Sequence, residues 1–128
     1  MATKAKTRAE PKQELTAEQE AAKLKRCALY KTIRQDLLDQ LRRNGTEGAY
    51  YADLVEDYMS MWVSKQLAAE DIQRRGIMVD YNNGGGQSGK KKNDSVEVQI
   101  KLNAQMLKVL SELGIKPTQG NGAGDDDL

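Results

Sequence analysis

Tyr50 to Arg75, YYADLVEDYMSMWVSKQLAAEDIQRR, is the stretch whose reading decides the fold. Its apolar residues Tyr51, Leu54, Val55, Tyr58, Met61, Trp62, Ala69 and Ile72 recur at steps of three and four, which lines them along one side of a helix. The other side carries Asp53, Glu56 and Asp57 early and Arg74 and Arg75 late, the order a helix dipole favours, and Gly76 stands where helices commonly end. The chain has one tryptophan and no phenylalanine, and three of its five tyrosines lie in this stretch. Most of the large apolar area available for burial therefore comes from here, and packing is the default role for its aromatic and Met stripe.

Upstream, Thr16-Ala17-Glu18-Gln19 fits a capping box and predicts a helix from about 16 to 44. Its stripe is Leu24, Cys27 or Ala28, Tyr30, Ile33, Leu37, Leu38 and Leu41, and Arg42, Arg43, Asn44 and Gly45 mark its end. The polar turn from Asn44 to Gly48 then predicts a helical hairpin with the central helix, over 50–75. Residues 1–15 are polar, basic and without an apolar period, and read as a disordered arm.

Downstream, Ile77 to Tyr81 is β-prone and 82–92 reads as a flexible loop, giving a short β-hairpin with a loosely defined second strand. Gly84-x-x-x-x-Gly89-Lys90 comes close to a phosphate-cradling loop, but Lys91 stands where that motif needs Ser or Thr. Asp94 or Ser95 is the expected cap of a last helix, over 95–113, with Val96, Ile100, Asn103, Met106, Leu107, Leu110 and Leu113 at helical spacing and Gly114 as its stop. Residues 118–128 are Gly-rich, end in Asp125-Asp126-Asp127-Leu128, and read as a disordered acidic tail.

The 128 residues suit one small domain, 16–117, and its modest apolar content makes self-association a fair expectation for helices this long. Net charge is +1, but residues 1–48 carry +4, 49–75 carry −2, 76–117 carry +2 and the tail carries −3. A polyanion would therefore meet the front of the chain. Lys23, Lys25, Arg26, Lys31, Arg34, Arg42 and Arg43 form a ladder of cations there, joined by Lys90, Lys91 and Lys92 beside the loop. Solvated surface is the bland alternative for such a ladder.

No run of about 18 apolar residues and no leader-like segment are present, so a soluble intracellular protein is expected. There is no histidine, and the lone Cys27 has no base partner by sequence and no metal-ligand spacing around it. Neither catalysis nor a cofactor nor a metal is expected.

A long helix with spaced tyrosines, Ile72-Gln73-Arg74-Arg75-Gly76, a β-prone loop and a last helix closing on Leu113-Gly114-Ile115-Lys116-Pro117 together resemble the small subunit of tailed-phage terminases, in the group with a C-terminal Leu-Gly-aliphatic-x-Pro motif. Two departures stand out. Many relatives carry Asn-Pro at the start of the last helix where this chain has Asn93-Asp94-Ser95, and Thr118-Gln119-Gly120 replaces the usual Ser-Arg after the final Pro.

The resemblance implies a mainly α, ring-forming oligomer that acts in the cytoplasm of the infected bacterial host. It would bind double-stranded viral DNA at the packaging start and pass it to a large subunit that owns the ATPase and nuclease. Tyr51, Leu54, Tyr58, Trp62, Ile100, Leu107 and Leu110 are the candidate subunit contacts, Asp125, Asp126 and Asp127 the candidate contact with the large subunit, and the cations above the candidate DNA contacts. The rival reading is a helical oligomeric adaptor or a DNA-binding transcription regulator.

Overall fold

The computed structural model describes residues 14–116. Four helices and one hairpin follow in order: α1 (Ala17–Arg26), α2 (Ala28–Arg43), α3 (Ala49–Arg75), β1 (Met78–Gly84), β2 (Gln87–Lys92) and α4 (Asp94–Leu113). The fold is mainly α with a two-stranded antiparallel sheet between the last two helices, the class expected.

α3 is the axis. α1 and α2 run back along one side of it and α4 along another, so its buried face is wider than a single stripe. Val55, Met59, Trp62, Val63 and Ala68 are buried, while Tyr51, Leu54, Tyr58 and Met61 are half-buried around them. Met59 and Val63, absent from the expected stripe, are buried because two layers of helix meet across them. Leu37 and Leu41 from α2 and Met106 and Leu113 from α4 complete the core, and the Tyr30 ring meets Trp62 edge-on at 5.8 Å.

The helix expected over 16–44 is in fact two. The Thr16 capping box forms, with the Gln19 amide donating to Thr16 Oγ1 at 3.1 Å and the Thr16 amide to Gln19 Oε1 at 2.9 Å. The helix then stops at Cys27, whose ψ of 156° is extended, and restarts with the Tyr30 amide donating to Cys27 Sγ at 3.5 Å. No Gly or Pro forces the break. The apolar spacing does: nine residues separate Leu24 from Ile33, which at about 100° per residue puts them half a turn apart on a continuous helix. Breaking at Cys27 lets Ala21, Leu24 and Cys27 face the same core as Tyr30, Ile33, Leu37 and Leu38.

The second strand is better formed than expected. Met78 pairs with Lys92, Val79 with Lys91, Asp80 with Lys90 and Tyr81 with Gly89, with an irregularity between Asn82 and Gly84 where Asn82 Oδ1 accepts from the Gly84 amide at 2.8 Å. Gly84, Gly85 and Gly86 all have positive φ and make the tip. Gly89-Lys90 thus lies within a strand rather than at the start of a helix, which removes the phosphate-loop reading. At the far end, Gly114 closes α4 in the left-handed region (φ 71°), with Leu113 buried and Ile115 packed on the core.

Candidate nucleic-acid interface

The base of the hairpin is tied down by one buried polar group. Asn93 is fully buried, and it caps α4 in place of the expected Asp94 or Ser95. Its Oδ1 accepts from the Ser95 amide at 2.9 Å and from Arg75 Nη2 at 3.2 Å, and its Nδ2 donates to Gly76 O and to Asp71 Oδ2, both at 3.0 Å. All four hydrogen-bonding positions of the amide are filled, as burial requires. The Asn93 amide also donates to Ile77 O at 2.6 Å, so both feet of the hairpin are held by the same residue.

Asp71 is the ionic half of this knot. It accepts from Arg75 Nε at 2.8 Å, Ser95 Oγ at 2.8 Å and Asn93 Nδ2, and pairs more loosely with Arg74 at 3.3 Å. The Arg75 hydrogen bond, then those of Ser95 and Asn93, hold its carboxyl well below the usual carboxylate range. Arg75 is pushed up in return by the same bond. In the sequence Asp71 is one more charged residue on the polar face of the central helix. The one available signal was its spacing of four from Arg75, which places the pair on one face.

The ten expected DNA contacts divide into two groups by partner. Lys23, Lys25, Arg26 and Lys31 are exposed on α1 and the start of α2 and make no ion pair among the described residues. Arg34 instead pairs with Glu56 of α3, its Nε at 2.9 Å, which raises its affinity for its proton and ties α2 to α3. Arg42 pairs with Asp39 at 3.0 Å, and hydrogen bonds from Gln35 and then Arg42 lower the Asp39 carboxyl. Arg43 donates to Gln40 Oε1 at 2.8 Å. On the hairpin, Lys90 reaches Asp80 at 2.7 Å, while Lys91 and Lys92 are exposed and without an ion pair among the described residues.

The expected subunit-contact residues also separate. Trp62 is 7% exposed and belongs to the chain's own core, and Tyr51, Leu54, Tyr58 and Leu110 are half-buried against it. Burial raises the Tyr58 hydroxyl's pKa. Ile100 at 64% and Leu107 at 59% exposure stand open on α4. Beside Leu107 lies an apolar groove of about 400 Å³ between Leu37, Tyr58, Leu110 and Ile115. Asp125, Asp126 and Asp127 lie outside the described residues.

The family model described as phage terminase, small subunit, matches residues 30–122, most of the chain. The chain belongs to the phage terminase small-subunit family. No curated protein and no solved structure matches it. The match to the small-subunit family runs from within α2 through the hairpin and α4, so the knot at Asp71 and Asn93 lies inside it and α1 lies outside. No helix among the small subunit's described residues is long and apolar enough to cross a membrane. The small subunit is in general the non-catalytic partner of a terminase, acting with viral DNA and a large subunit in the infected cell.

Proposed function

We propose that this small subunit binds double-stranded viral DNA at the packaging start and presents it, as a homo-oligomeric ring, to the large ATPase-nuclease subunit. The family match carries this reading. The exposed Lys23, Lys25, Arg26 and Lys31 give it a physical basis, since cations without an ion pair among the described residues can displace counterions from a phosphate backbone. Each subunit would bind weakly, and repetition around a ring would supply avidity. Ile100 and Leu107, exposed on a helix whose opposite face is already packed, are the proposed subunit contacts. The acidic residues Asp125 to Asp127 are proposed for the large subunit.

The test is salt-dependent DNA binding by the full chain and by a Lys25→Glu, Arg26→Glu, Lys31→Glu variant. Arg34 is left intact because reversing it would set two carboxylates against each other across α2 and α3. The wild type should lose affinity steeply as salt rises, and the variant should bind at least about tenfold more weakly with a shallower salt slope. Binding that ignores salt, or is untouched by the three reversals, would favour a protein-binding adaptor, whose helix-in-groove contact changes little with salt.

A further inference from the structure

The hairpin is built unlike the rest of the molecule. Its two strands pack mainly on each other, every residue of β2 is exposed, and its feet are fixed by the buried Asn93. A free hairpin of two strands is ordinarily marginal, so a hairpin held out from the helices on a rigid base needs a reason.

Its side chains are graded from tip to base. The tip is Gly84, Gly85 and Gly86, with no side chain to obstruct approach. Next on β2 come Gln87 and Ser88, an amide and a hydroxyl, the groups that hydrogen-bond base edges. Gly89 follows, covered by the Tyr81 ring, which would lie 3.1 Å from any added Cβ. Lys90, Lys91 and Lys92 come last, on alternating faces, opposite Asp80, Val79 and Met78.

The dimensions suit a duplex. Two strands about 4.8 Å apart fit the roughly 12 Å width of the major groove, which is known to admit a β-ribbon. At about 3.4 Å per residue, the groove's depth of roughly 8.5 Å spans two to three residues, so a tip at the floor places Gln87 and Ser88 among the bases, Gly89 at the rim and the three lysines outside it, beside the phosphate backbone.

We propose that the β1–β2 hairpin enters the DNA major groove tip first, with Gln87 and Ser88 contacting base edges and Lys91 and Lys92 contacting the flanking phosphates. This rests on the DNA-binding reading above and deepens it: the helical cations hold any duplex, and the hairpin chooses among duplexes.

The test is enrichment from a randomised duplex library by the full chain, alongside affinity for one unrelated duplex and the solution mass. Wild type should enrich a motif. Gln87→Ala with Ser88→Ala should lose it while keeping affinity for the unrelated duplex within about twofold. Lys91→Ala with Lys92→Ala should weaken binding to every duplex and reduce the salt slope by about two. Circular dichroism and the thermal midpoint, unchanged in both variants, keep a folding defect from imitating these losses.

A wild type that binds DNA but enriches nothing overturns the proposal, as does the same motif enriched by the Gln87/Ser88 variant. A reduced solution mass in either variant also overturns it, because the hairpin would then be a subunit contact. A wild type that binds no DNA sinks the DNA-binding reading itself.

Discussion

Asp71 and Asn93 show how two residues, through bonds that span sixteen to twenty-four positions, can fix the direction of a whole segment. Their bonds join the end of α3, the start of α4 and both feet of the hairpin. Because the folded Asp71 carboxyl is held below the usual range, its stabilisation is complete above the unfolded carboxylate pKa of about 3.9 and is lost as pH falls below that value toward the folded one. Asp71→Asn should therefore cost about 1–3 kcal/mol near neutral pH by removing charge-assisted hydrogen bonds. The gap to wild type should narrow below about pH 4, as the unfolded Asp71 carboxyl takes up a proton that the folded one still refuses. Urea midpoints of the two proteins from pH 7 to pH 2.5 measure this, and a gap constant across that range would deny the carboxylate its role. Little of this was legible in the sequence: Asp94 and Ser95 are better-known caps than a buried Asn, and only tertiary burial makes Asn93 the cap.

At the scale of elements, the helices were legible because their apolar residues repeat at three and four, and α3 and α4 fall within a residue or so of the expected bounds. The break at Cys27 was legible in principle, through the half-turn conflict between Leu24 and Ile33, and was missed because no Gly or Pro announces it. The hairpin was half legible, since β2 is Gln, Ser, Gly and Lys, poor strand formers whose pairing comes from the fixed base and from β1.

Two glycines of this region are held for different reasons. Gly76 has φ 89° and ψ 175°, a region almost closed to other residues, although an added Cβ would meet only Met78 O at 3.7 Å. Gly76→Ala should cost about 1–3 kcal/mol through backbone strain, read as a lower denaturation midpoint. Gly89→Ala meets the Tyr81 ring instead, so its cost should vanish when Tyr81 is also made Ala, while that of Gly76→Ala should persist in the same background.

For the molecule as a whole, the helical class and the family were legible from residue order. The partition of apolar residues between core and surface was not, because it depends on which helices flank α3. Trp62 moved inward, and Ile100 and Leu107 stayed open. If α4 carries the subunit contact, Ile100→Asp with Leu107→Asp should reduce the mass seen by light scattering while leaving the helical signal intact, since neither side chain is buried within the chain. An unchanged mass would remove α4 from the interface.

The placement of Trp62 has an optical consequence. It is the only indole in the chain, it is shielded from water with the Tyr30 ring edge-on to it, and thirteen residues of helix, about 20 Å, lie between it and Arg75 at the hairpin's base. Its emission therefore reports the dryness of the core and is blind to events at the hairpin, so a single fluorescence trace can tell a variant that has lost its grip on a ligand from one that has lost its fold.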